Sequence, residues 1–231
     1  MAVKRFEVPE LGTIAVYKRR DSRALKITVD QNDHIRVSMP VWLPYRTAVE
    51  FARSKSGWIA QHRRPITILR QGQSIGKAHR LDFVYTSTSH KPSTRLIGQT
   101  VRVNLPHTTA ATSSTAQVAA KRGAVQALRK ESASLLPIRL GQLAQQYDFK
   151  FSSVQVKQLR SRWGSCSDKK HITLNLFLMQ LPWPLIDYVL VHELTHTEHL
   201  HHGTDFWARL ESCMPEVKAL RKQLKTFQPH L

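Results

Sequence analysis

The residues best suited to chemistry lie together in His192-Glu193-Leu194-Thr195-His196. Two histidines four residues apart lie on one face of a helix, about 6 Å apart along its axis. Their imidazoles can converge on one tetrahedral Zn²⁺. Glu193, beside the first of them, is placed to take a proton from a water held by that ion and pass it to a leaving amine. That is the chemistry of peptide-bond hydrolysis. A five-residue pattern with three fixed letters also arises by chance, so its setting matters. Leu185, Ile186, Val189, Leu190 and Val191 precede it. This apolar run predicts a buried helix, and a buried His-Glu-x-x-His without a role would leave uncompensated polar groups in the core.

A catalytic zinc takes three protein ligands and keeps one position open. His199 stands seven residues after His192, about 10 Å along the axis, so a straight helix cannot bring both to one ion. The third ligand must come from beyond the helix end or from a bend, where His201, His202 and Asp205 are available. His202 follows His196 by six residues, the offset of the extended HExxHxxGxxH pattern, although this chain has His199 where that pattern has Gly. Gly203 is a candidate stop for the helix.

Other residues carry weaker signals. Arg160 and Arg162 flank a turn predicted at Trp163-Gly164-Ser165-Cys166. They are candidates for holding substrate or an oxyanion, while Trp163 reads as core with the arginines as surface charges. A strand predicted over Ile172–Leu176 should lie beside the active-site helix and offer an edge to an extended substrate. Asn175, near its end, either faces that groove or ties a loop. Cys166 and Cys213 stand in unrelated contexts with no CxxC spacing, which reads as free thiols in a reducing, cytoplasmic setting. Met214-Pro215 reads as helix capping and packing.

These residues need elements to position them. Alternating β-formers predict strands over Thr13–Tyr17, Ala24–Val29 and Ile35–Met39, with turn residues at Gln31-Asn32-Asp33. Pro44 opens a helix through about His62, with Trp58 among its apolar side. Short strand-like pieces follow to Asn104. Residues 106–116, small and polar, read as a linker or surface loop. A long helix runs from about Ala116 to Tyr147, with an interruption expected near Pro137. Strands over Ser153–Leu159 and His171–Leu176, a helix opened by Pro182 and Pro184, and two more near Thr204–Cys213 and Pro215–Phe227 complete the chain. The division is a β-rich N-terminal region, 1–105, and a helix-rich region, 116–231.

The 231 residues are enough to bury a real core, and the 41% hydrophobic content is that of a soluble globular protein. No apolar run is long enough to span a membrane, and the N-terminus lacks the apolar stretch of a secretory signal. The formal charge of +19 is the unusual feature. It favours nucleic acid or another polyanion as a partner, and no single tail carries it. The rival to the peptidase reading is therefore a nucleic-acid-associated module, with the β-rich region as binding element. Action on DNA-bound proteins would join the two.

Arg162-Trp163-Gly164-Ser165-Cys166, Ile172-Thr173-Leu174-Asn175, Ile186 to Leu194, and His202 with Phe206-Trp207 together resemble the YgjP-like metallopeptidase family. Leu25–Val29, Val37–Pro40 and Ala52–Ile59 extend the resemblance over most of the chain. It implies an α+β, zincin-like domain whose active-site helix packs on a small sheet. It also implies zinc held by His192, His196 and His202, Glu193 as the base, and peptide or protein substrates.

Overall fold

Apolar residues at every second position of four short segments build the first sheet. They are β1 (Val3–Val8), β2 (Gly12–Arg19), β3 (Lys26–Val29) and β4 (Ile35–Pro40). The computed structural model describes residues 3–29, 34–62, 68–88 and 90–231. The turn expected at Gln31–Asp33 lies outside them. The chain divides into two units, Met1–Thr67 and Ile68–Leu231.

In the first unit the strand order is β1-β2-β4-β3, with the central pair parallel and the outer pairs antiparallel. Ile14, Val16, Ile35, Val37 and Met39 are buried with Ala48, Ala52 and Ile59 from α1 (Tyr45–Ser54) and α2 (Ser56–His62). Pro44 caps α1, as its fixed φ predicts. Two helices replace the single one expected, with a break at Lys55. Trp58, expected on the apolar side, is 40% exposed.

The second unit opens with a four-stranded sheet, in the order β5 (Ser74–Ile75), β6 (His79–Thr86), β8 (Thr100–Pro106) and β7 (Ser93–Ile97). Its apolar face, Leu81, Val101, Val103 and Leu105, shares one core with Ala120, Ala124 and Leu128 of α3 (Ser114–Gln146). The division expected at 105–116 therefore falls instead at 67–68. A half-apolar sheet must be covered, and α3 covers this one. Ser113 caps α3 through a hydrogen bond from Ala116 N, at 3.3 Å. The helix runs through Pro137 without the expected break. Ala133, four residues back, is exposed, so the carbonyl that loses its partner to proline can be hydrated.

α3 also touches the layer that carries the site. There β9 (Ser153–Lys157), β11 (His171–Asn175) and β10 (Gly164–Cys166) form a three-stranded sheet in the order β10-β11-β9. A 3-10 turn (Leu176–Gln180) leads to α4 (Trp183–Thr195), followed by α5 (Thr204–Cys213) and α6 (Val217–Leu224). The fold is α+β. No described helix is long and apolar enough to cross a membrane.

Candidate metal centre

α4 begins at Trp183 with Pro182 as its cap and Pro184 in the first turn, where a missing N–H does no harm. Leu185, Ile186, Val189, Leu190, Val191 and Leu194 bury it, as the apolar run predicts. Tyr188, His192 and His196 recur at four-residue spacing and share a stripe. The helix stops sooner than the sequence suggests. His196 is already its cap, and Thr197 N and His199 N turn back to Leu194 O and Thr195 O, both at 2.9 Å. Gly203 does not end α4; it caps the start of α5. The loop between them delivers His202.

The ligand nitrogens of His192, His196 and His202 lie within 4.8 Å of one another. His192 Nε2 and His202 Nε2 are 3.1 Å apart. Two nitrogens bound tetrahedrally at about 2.05 Å from one centre stand about 3.3 Å apart, so this spacing suits a shared cation. His196 Nδ1 donates to His199 O at 3.1 Å. A carbonyl only accepts, so the proton sits on Nδ1 and the Nε2 lone pair is left free. Burial, then His196, His202 and Arg221, push the His192 imidazole down to about 3, which keeps it neutral as a ligand must be. The residues present fit a divalent metal.

The aromatic residues of α5 form the floor. Phe206, fully buried, has its ring centroid 5.0 Å from that of His192 and 4.7 Å from those of His196 and His202. Trp207 stacks on His202 at 5.8 Å, and its indole N–H donates to His202 O at 3.1 Å. Arg221 of α6 lies 4.7 Å over the Trp207 ring. Guanidinium, indole and imidazole thus form one layered stack ending on the third histidine.

Glu193 is buried, and its Oε2 has no hydrogen-bond partner among the described residues. Burial pushes its carboxyl up to about 8, with Arg162 pulling the other way. A divalent cation in the triad would pull it lower still. Gly164 of β10 lies against this side chain. A Cβ there would meet Glu193 Cγ and Oε1 at 2.7 Å. The expected turn at Trp163–Cys166 is thus largely a strand, and its glycine makes room for the glutamate.

Other sequence candidates fall elsewhere. His199, His201 and Asp205 are outside the cluster of ligand atoms. Asn175 is fully buried and does not face a groove. Its Nδ2 donates to Leu159 O and Arg162 O, at 3.0 and 2.8 Å, and its Oδ1 accepts from Phe177 N at 3.2 Å. It ties down the loop that carries Arg162, which is itself exposed. The strand over His171–Asn175, expected to offer an edge, is the central strand, and the outer strand packed on α4 is β10. Sequence reasoning missed Gly164, Tyr188 and Arg221. The four-residue spacing of Tyr188 from His192 was a usable signal; Gly164 was visible only as part of the Arg162–Cys166 motif, and nothing in the sequence links Arg221 to the site.

The model of the YgjP-like metallopeptidase domain matches residues 23–227. The chain belongs to the YgjP-like metallopeptidase family. This YgjP-like chain is accordingly a metallopeptidase, a hydrolase of peptides or proteins that uses a divalent metal. Among solved structures it is similar to the metallopeptidase zymogen of Pyrococcus abyssi abylysin, at 24% identity and a TM-score of 0.37. That match covers 40% of this chain and 93% of that one. It is also similar to the zymogen of Methanocaldococcus jannaschii jannalysin, at 19% identity and a TM-score of 0.35, over 38% and 92%. No curated protein matches the sequence.

Proposed function

We propose that this protein is a zinc-dependent peptidase whose metal is held by His192, His196 and His202 and whose general base is Glu193. The observation that carries the reading is the convergence of three histidine nitrogens within 4.8 Å, next to a buried carboxylate with one oxygen unpaired. Zinc bound there would supply Lewis acidity and lower the pKa of a water ligand to about 7. Glu193 accepts the proton of the attacking water on a carboxylate oxygen and gives it to the leaving nitrogen. Its burial supports both halves of that transfer, because a carboxyl that tolerates the neutral state can hold the proton between the two steps. Arg162, close enough to lower the Glu193 pKa, is the candidate cation to hold the substrate carbonyl as charge grows on it. The outer strand β10 offers backbone groups to an extended substrate. Cys166 and Cys213 are free thiols, which suits a reducing, cytoplasmic setting.

Glu193→Gln tests the reading directly. The variant is expected to keep its metal, measured by elemental analysis, and to lose hydrolysis of an unfolded protein substrate by at least about 10²-fold. Hydrolysis at the wild-type rate would sink the assignment. His202→Ala should lose the metal and His201→Ala should keep it; the reverse would move the third ligand.

A further inference from the structure

Strand register gathers a set of cations on the face of the first sheet that its helices leave open. Across β1 and β2, Arg5 pairs with Ala15; across β2 and β4, Ala15 pairs with Arg36 and Tyr17 with Ser38. Across β4 and β3, Arg36 pairs with Thr28 and Ser38 with Lys26. Paired residues point to one side of a sheet. The opposite side is that of Ile14, Val16, Ile35 and Val37, buried with α1 and α2. Arg5, Lys26 and Arg36 therefore share the open face, all exposed, with Tyr17 between them.

The face is hollowed and cationic. Two shallow hollows of about 460 and 330 Å³ share Tyr17 and Arg36 in their walls. The Arg36 guanidinium lies 4.5 Å over the Tyr17 ring. Among the described residues Arg5, Lys26 and Arg36 form no salt bridge, whereas Arg19, on the same face, is held by Asp21 at 2.6 Å. Glu7, on this face at the β1 edge, takes a hydrogen bond from Thr13. Three cations that form no salt bridge among the described residues, set around a cation–π pair, suit a ligand that has both phosphates and exposed rings.

We propose that this open face binds single-stranded nucleic acid. Arg5, Lys26 and Arg36 contact backbone phosphates, and an unpaired base stacks on the Tyr17–Arg36 pair. A duplex has no free base for that pair. The proposal does not rest on the peptidase reading; it gives an address to part of the +19 charge.

The test is fluorescence anisotropy of the full chain with a labelled oligothymidylate of about 15 nucleotides, between about 50 and 200 mM salt. Wild type is expected to bind, more weakly as salt rises. Arg5→Gln/Lys26→Gln/Arg36→Gln should bind at least about tenfold more weakly, with a salt slope smaller by about two, since each cation on a single strand contributes about 0.7. Tyr17→Ala should lose about tenfold at an unchanged slope. Lys130→Gln/Lys150→Gln/Lys157→Gln, exposed positions on the second unit, should bind as wild type does. Circular dichroism checks that each variant is folded. Absence of binding by wild type at low salt overturns the proposal. So does an equal loss in the two triple variants, which would mean diffuse charge. Equal affinity for duplex with no effect of Tyr17→Ala, or binding of phosphatidylserine vesicles and not of the oligonucleotide, overturns it as well.

Discussion

Gly164 shows how little room Glu193 has. A methyl group at that position needs the space occupied by Glu193 Cγ and Oε1, 2.7 Å away. Glu193 is buried and cannot swing into solvent, so Gly164→Ala should displace the carboxylate and leave the three histidines in place. Steady-state kinetics should show kcat lower by about 10²-fold, with metal content unchanged. Wild-type kcat in that variant would mean that Glu193 has freedom this packing denies it. Cys166, two residues on, answers a different question. Burial first, then the Glu193 carboxylate, push its thiol up to about 11. At pH 8 only about one molecule in a thousand carries the thiolate, so alkylation of the folded protein by iodoacetamide should be slow, and should quicken about tenfold for each pH unit up to the pKa. Mass spectrometry of the alkylated protein reads this. Fast labelling at pH 8 would show that the site's wall is open.

At the scale of elements, α3 is the scaffold on which the second unit is assembled. Its Ala116, Ala120, Ala124 and Ala127 are buried with the four-stranded sheet, and Gly123 brings the backbone closer still. A Cβ at Gly123 would collide with Thr94 Oγ1 and stand 2.6 Å from Val101 Cγ1. The same helix carries Glu131, a buried carboxylate that accepts backbone N–H groups from Lys77, Ala78 and His79 at 2.6, 2.9 and 3.2 Å, and pairs with the His79 ring. Gly76, at φ +66, makes that loop possible, since any Cβ there would strike Glu131. Lys77 continues the link by donating to Leu181 O, just before α4. Glu131→Ala leaves three buried or half-buried N–H groups without their acceptor and should cost about 3–5 kcal/mol in urea denaturation. A loss under about 1 kcal/mol would show that water replaces the carboxylate. Arg139, eight residues on along α3, fixes the active-site helix itself through a two-bond pair with Asp187, at 2.8 and 2.7 Å.

For the whole molecule, the two units have separate cores, and the three candidate metal ligands all lie in the second. A bound divalent metal stabilises the state that binds it, by an amount set by concentration and affinity. Chelation should therefore raise hydrogen exchange at the end of α4, the loop through Gly203 and the start of α5. Amides of β1 to β4 should keep their protection. Mass spectrometry with and without EDTA measures both. Equal loss in the two units would mean that the metal acts on the chain as a whole.

The candidate site was legible in the sequence because its first three residues are local. His192, Glu193 and His196 are close in the chain, and the helical repeat alone puts both imidazoles on one face and the carboxylate beside them. The apolar run before them forces burial, so α4 and its neutral, metal-ready histidines follow from composition and period. The sequence also excluded His199, by axial distance along a straight helix. Tertiary structure decided what depends on where separate elements meet. It ends α4 at His196 and brings His202 back from a loop. It moves the unit boundary to residue 67, because a half-apolar sheet needs α3 as its cover. It turns Asn175 inward, makes β10 the outer strand and sets Gly164 against Glu193. Strand order, loop path and side-chain contact across elements leave no periodic trace in one segment, since each is a property of two segments far apart in the chain.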